Sequence, residues 1–313
     1  MLRFAPLVLL IGLAARADKP APPVHVDDDA VQASFTSQLG KLVADGRGLA
    51  ADKLRPMLTA DRACQLTLSP PAARRLDPED VYDAAIRSVL VFGSVVGDDG
   101  EYEDGRMATA WVLTADGVAV TNWHVLDKPE DNERFGAMTR DGQTFPLVGV
   151  LAVDKAADIA VVKLDAAGLT PLPLATTSPR VGSWVGVLGH PGDRYFTFTQ
   201  GHVSRYTAQK REDAPPERWM SITADYAYGS SGSPVLDRTG AVVGMAALTE
   251  SLDYPQEAEP VPAPDKPKEP VPPPAEADRG SRLQMVVKLV TPLADLRRAV
   301  GAGTAKELPG KNP

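Results

Sequence analysis

The stretch MATAWVLTADGVAVTNWHVL, residues 107 to 126, decides the class of fold. Apolar and β-branched residues recur through it at a period of two, and Ala115-Asp116-Gly117 divides it into the arms of a hairpin. The second arm ends on His124, beside apolar Val125 and Leu126, where an imidazole needs a reason to be.

The same period extends outward on both sides. SVLVFGSVV (88–96), FGAMTRDGQTFPLVGVLAV (135–153) and DIAVVKLD (158–165) read as strands, with Arg140-Asp141-Gly142 as a further hairpin signal. A second set follows in SWVGVLG, FTFTQGHVSRYT, RWMSITAD, SPVLD with GAVVGMAAL, and QMVVKLV. Many short strands and few helices over roughly 210 residues predict an all-β barrel or sandwich. TPLADLRRAV closes this region as a short helix, with Thr291 as its expected cap and Pro292 in the first turn.

Helical spacing is confined to the part before the strands. Val31, Phe35, Leu39, Leu42 and Val43 predict a helix over 30–45, stopped by Gly46. Asp77 followed by Pro78, Glu79 and Asp80 marks a second helix start, with Asp77 expected to cap. The reading divides the chain into a leader (1–17), a partly helical extension (18–76), a main domain (77–302) and a tail (303–313). Within the main domain, 255–280 reads as an extended insertion, because nine prolines between 255 and 274 cannot enter a ladder or a core.

Composition narrows the function. The 313 residues are 43% hydrophobic and carry a formal net charge of −8, which argues against a general nucleic-acid surface. Arg3, the apolar run Phe4–Ala15 and the small pair Ala15 and Ala17 have the form of a cleaved secretory leader, so export to a periplasm or the exterior is expected. No later run reaches the about 18 apolar residues of a membrane span. Cys64 is the single cysteine, so disulfides contribute nothing and packing must supply the stability.

Three polar residues in apolar strand contexts then need explaining together: His124, Asp158 at the head of ADIAVVKL, and Ser231 in YGSSGSPV. A serine hydroxyl becomes a nucleophile when an imidazole can take its proton, and the imidazole needs a carboxylate to fix its tautomer. The N–H groups of Gly229 and Ser231 can face a developing oxyanion, leaving Ser230 as a spacer. The residue two after Ser231 is Ser233, and the chain order is His, Asp, Ser. Both facts exclude an α/β-hydrolase, as does the lack of strand–helix alternation. His190 and His202 lie outside any metal-ligand spacing, and no phosphate-binding glycine loop opens a helix, so no metal and no cofactor is expected.

TNWHV, ADIAVVKL and GSSGSPV resemble the His, Asp and Ser motifs of the chymotrypsin-like serine proteases. The similarity is best to their disulfide-free bacterial branch, which includes the high-temperature-requirement (Deg-type) proteases and the glutamyl endopeptidases. It covers roughly residues 79 to 300. The resemblance implies two six-stranded antiparallel β-barrels, with His124 and Asp158 on the first and Ser231 on the second. It also implies an endopeptidase acting on protein or peptide substrates, possible as a homo-oligomer. The motifs lack a charged residue before Ser231, a PDZ domain after the last helix is not expected, and VVGMAALTE has no histidine for glutamyl specificity. Asp225 and Ala246 are a possible specificity pocket; the alternative is that Asp225 turns elsewhere. The rival functional reading is a double barrel kept as a binding or scaffold protein without catalysis.

Overall fold

The computed structural model describes residues 25–211, 214–253 and 283–302. The leader (1–17), the whole of the proline-rich insertion (255–280) and the tail (303–313) lie outside the described residues.

Twelve strands form two closed six-stranded barrels. The first comprises β1 (Val89–Asp98), β2 (Glu101–Thr114), β3 (Val118–Thr121), β4 (Glu133–Met138), β5 (Thr144–Asp154) and β6 (Ile159–Leu164), closed in the order β1-β2-β3-β6-β5-β4. The second comprises β7 (Trp184–Gly189), β8 (Thr197–Arg211), β9 (Ala214–Ile222), β10 (Pro234–Leu236), β11 (Val242–Asp253) and β12 (Leu283–Pro292), in the order β10-β11-β12-β9-β8-β7. All pairings within the barrels are antiparallel. This is the chymotrypsin-like architecture.

The alternation in 107–126 has a physical cause that composition alone conceals. Ala110, Val112 and Ala119 point into the first barrel with Leu90, Phe92 and Phe135. Their neighbours Val89, Trp111 and Val120 point outward, yet they are also buried, in one cluster with Val185, Val187, Val235 and Met245 of the second barrel. Strands at the seam therefore lose water on both faces and read as nearly continuous apolar runs.

The extension folds onto this frame. Helix α1 (Asp28–Ala44) begins where the Asp27 side chain accepts the Ala30 N–H at 3.0 Å, and it buries Phe35, Leu39 and Gly40. Gly40 lets the helix approach closely, since a Cβ there would lie 3.0 Å from the Tyr102 ring. Helix α2 (Ala51–Met57) was not foreseen; its Leu54 caps one end of the first-barrel core. Beyond it Arg62 pairs with Val153, and Asp61 accepts the Lys155 N–H at 3.1 Å. Cys64, half-buried, donates its backbone N–H to Ala299 O at 2.9 Å and takes no part in a disulfide.

Two expected caps are absent. Helix α3 (Pro78–Ala85) starts after Asp77 with proline in its first turn, but the Asp77 side chain caps nothing and lies 3.8 Å from Arg238. Helix α4 (Leu293–Ala299) follows Pro292, while Thr291 is still in β12 and gives its hydroxyl to Ala157 O at 2.9 Å. In both cases a tertiary partner competes successfully with the local one.

Trp111, 1% exposed, is the largest fully buried side chain of the seam, and its indole N–H finds no acceptor among the described residues. Trp111→Ala should lower stability by about 3–5 kcal/mol, read as a fall in the denaturant midpoint. Trp111→Phe should cost much less, because it keeps most of the volume and removes the unpaired donor.

Candidate active site

Strand register brings the imidazole to the carboxylate. β3 pairs with β6 so that Thr121 faces Ala160, which sets the turn after β3 beside the turn before β6. His124 lies in a single 3-10 turn, Trp123–Val125, and Asp158 lies between β5 and β6 with φ of 56°. Aspartate tolerates this left-handed conformation better than most residues. Asn122 Nδ2 donates to Asp158 O at 2.8 Å and Trp123 N donates to the same oxygen at 3.3 Å, which ties the two turns together.

The Asp158 carboxylate then addresses His124 with both oxygens. Oδ1 accepts the His124 backbone N–H at 2.9 Å, and Oδ2 lies 2.6 Å from Nδ1. Its side chain is 12% exposed, whereas that of His124 is 40% exposed, so the pair has a screened end and an open end. At the open end, His124 Nε2 lies 3.0 Å from Ser231 Oγ. Nδ1 bonded to a carboxylate carries the proton, which leaves Nε2 free to accept the hydroxyl.

Ser231 comes from the second barrel, in the turn between β9 and β10, and reaches the others because that turn is held against β2. Thr109 N donates to Ser231 O at 2.9 Å, and the Thr109 hydroxyl donates to Gly229 O at 3.1 Å. Thr121 Oγ1 in turn donates to Thr109 O at 2.8 Å. Gly232 has φ of 88°, and a Cβ there would fall 2.0 Å from Thr109 O, so only glycine lets the turn come this close.

The N–H groups of the turn are unevenly spent. Ser230 donates to Ala227 O, Gly232 to Ala246 O and Ser233 to Ser230 O, at 3.0, 3.0 and 2.9 Å. Gly229 and Ser231 donate to no acceptor among the described residues. Their direction is nevertheless set, because peptide units are planar and N–H and C=O point to opposite edges. Gly192 N pins Tyr228 O at 2.7 Å, which orients the Gly229 N–H; Ser233 N pins Ser230 O, which orients that of Ser231. Gly229, with φ of 85°, sits so close to His190 O that a Cβ would lie 2.4 Å from it.

His190 is a buried member of the neighbouring loop. Its Nε2 faces Leu90 O at 3.1 Å and its Nδ1 accepts the Phe196 N–H at 3.0 Å, which requires the neutral Nε2–H tautomer. Burial depresses its pKa from 6.5 to about 4. His202 is exposed and pairs through its backbone with Thr223.

The residues of the possible specificity pocket fall in different settings. Ala246 is fully buried and serves through its backbone, paired with Gly232 and Ser233. The Asp225 side chain is 87% exposed and stands 3.5 Å from the Lys288 ammonium, so it is turned to solvent and not to a closed pocket floor. Lys288 itself is buried and donates to Tyr226 O at 2.5 Å. Thr109, Asn122 and Gly192 had no signal in the sequence, because each acts through a backbone contact made only across the folded chain. Among the described residues, no group of three or more His, Cys, Asp or Glu side chains is placed to hold a metal ion.

Residues 108–245 match the model of the trypsin-like peptidase domain. The chain is 30% identical over 138 residues to the "Probable periplasmic serine endoprotease DegP-like" of Chlamydia pneumoniae, an alignment covering 44% of this chain and 28% of that one. It is 32% identical over 147 residues to serine protease HTRA1 of Xenopus laevis and over 145 residues to mitochondrial serine protease HTRA2 of Bos taurus. Each of those alignments covers 45% of this chain and 31% of the relative. The chain is thus homologous to the DegP and HtrA serine proteases, while spanning less than a third of the length of these three.

The depressed pKa of His190 makes a pH prediction whose sign is fixed. Its unfolded state takes up a proton near 6.5 and its folded state only near about 4, so the stability it lends is complete above 6.5. That stability should decline as pH falls through this window, by up to about 1.4 kcal/mol per pH unit. His190→Gln should show a flatter loss of melting temperature between pH 6.5 and 4 than the wild type, measured by calorimetry.

Proposed function

We propose that the protein is an exported serine endopeptidase with Ser231 as nucleophile, His124 as general base and acid, and Asp158 as the carboxylate that orients the imidazole. The observation that carries this reading is the unbroken series from Asp158 Oδ2 through His124 to Ser231 Oγ, at 2.6 and 3.0 Å, beside two N–H groups with no acceptor among the described residues.

In the first half-reaction, Ser231 Oγ adds to the substrate carbonyl carbon while its proton passes to His124 Nε2. The imidazolium so formed is stabilised by the Asp158 carboxylate at Nδ1. The tetrahedral oxyanion lies against the N–H groups of Gly229 and Ser231, which need no reorganisation because their peptide units are already pinned. His124 then gives its proton to the leaving amine, the C–N bond breaks, and an acyl ester remains on Ser231. Water, deprotonated by His124, repeats the addition and releases the acid, restoring the hydroxyl.

Export rests on two supports: the leader-like residues 1–17, and a relative whose name includes "periplasmic". Protein or peptide substrates are proposed on the same footing, from relatives named as serine proteases. Among the described residues, no helix is long and apolar enough to cross a membrane.

A fluorophosphonate should label Ser231, identified by peptide mass spectrometry, and labelling should vanish in His124→Ala. Asp158→Asn should keep the fold but lower kcat by about 10³–10⁴, since the amide no longer stabilises the imidazolium. A folded wild-type protein that neither labels nor digests casein would favour the rival scaffold reading.

A further inference from the structure

We propose that Asp28, at the start of α1, is a positioning residue of the active site: its carboxylate holds the loop that aims the Gly229 N–H at the oxyanion. This inference rests on the serine-endopeptidase reading above and assigns the N-terminal extension a part in it.

The loop is residues 190–196, between β7 and β8. Its Gly192 N–H grips Tyr228 O, and through the planar Tyr228–Gly229 peptide that grip sets the direction of the Gly229 N–H. The loop is not a relaxed turn. Asp193 and Phe196 both have positive φ, 60° and 61°, a conformation that phenylalanine adopts only when its surroundings enforce it. Something must therefore hold it.

Two things do. On the inner side, the neutral His190 ring accepts the Phe196 N–H and bonds Leu90 O of β1. On the outer side, the holder is α1. Asp28 Oδ1 accepts the Tyr195 N–H at 2.9 Å, across 167 residues of sequence. The rings of Tyr195 and Phe196, 3% and 5% exposed, pack in one apolar cluster with Phe35 and Leu39 of the same helix. The apolar contact carries the attachment and is tolerant of small slips. The carboxylate–amide bond is directional and sets the register of the loop. The line of influence runs from Asp28 by a hydrogen bond to Tyr195, along the loop backbone, tightened by Arg194 N–H donating to Pro191 O at 3.1 Å, to Gly192, and by a second hydrogen bond to Tyr228 O and the Gly229 peptide.

The structure thus gives the extension a role other than spacer. Residues 28–39 grip the loop on the oxyanion side, while Asp61 and Arg62 hold the turn that presents Asp158. Both catalytic barrels reach their working geometry with the extension bound across them.

The test uses the full chain and the pair Asp28→Ala and Asp28→Asn, because the asparagine oxygen can still accept from Tyr195. With p-nitrophenyl acetate as a substrate that makes no demand on specificity, Asp28→Ala should lower kcat about tenfold and change KM less than twofold. Asp28→Asn should restore most of the loss. Melting temperatures of the two variants should stay together, which a purely structural role would not combine with a split in kcat. Hydrogen exchange at the Tyr195 amide, read in the Ser231→Ala background, should quicken in Asp28→Ala and not in Asp28→Asn. Wild-type kcat in Asp28→Ala, an Asp28→Asn as slow as alanine, or unchanged exchange at Tyr195 would each overturn the proposal. A wild-type chain that never labels at Ser231 would overturn the endopeptidase reading, and with it the positioning role given to Asp28.

Discussion

The contact between Thr109 and the 229–232 turn governs the site, because it is where Ser231 of one barrel is held to His124 of the other. Its N–H and hydroxyl take two carbonyls of that turn, at 2.9 and 3.1 Å. Such bonds are each worth only about 1 kcal/mol net, yet they fix geometry that apolar packing leaves loose. Gly232 is the concession that makes the approach possible, since any side chain there would collide with Thr109 O. The large seam cluster around Trp111, Val120, Val187 and Val235 supplies the attraction between the barrels. The Thr109 contacts decide the register in which that attraction is satisfied.

Electrostatic preparation follows from the same placement. A carboxylate on a screened turn, an imidazole at the rim and two N–H groups with pinned peptide units are all set before a substrate arrives. In the proposed reaction little rearrangement would accompany charge development, which is the condition under which hydrogen-bond donors are most effective. The left-handed Asp158 and the crowded Gly229 are the strained points in this arrangement, and each is held by a partner from another element: Trp123 and Asn122 for the first, the His190 loop for the second.

The fold was legible where burial writes a period. Trp111 and Val112 alternate because they enter two different cores, and hairpin signals at Gly117 and Gly142 mark the turns. Helix α1 was legible from Phe35 and Leu39. Helix α2 was not: a seven-residue segment with Pro56 inside it has little periodicity, and its existence depends on Leu54 finding the mouth of the first barrel. The expected caps at Asp77 and Thr291 failed because cap chemistry is local and their side chains had tertiary partners to choose from.

By itself, the sequence determined the strand-rich class and the order His124, Asp158, Ser231, because residue type and chain spacing constrain these directly. Only the tertiary structure decided that the three side chains meet at hydrogen-bonding distance, that Asp225 faces solvent beside Lys288, and that Asp28 reaches Tyr195. Those facts depend on how two closed barrels and a wrapped extension are set against each other. That setting is the sum of many weak, non-directional apolar contacts, and no short stretch of sequence encodes it.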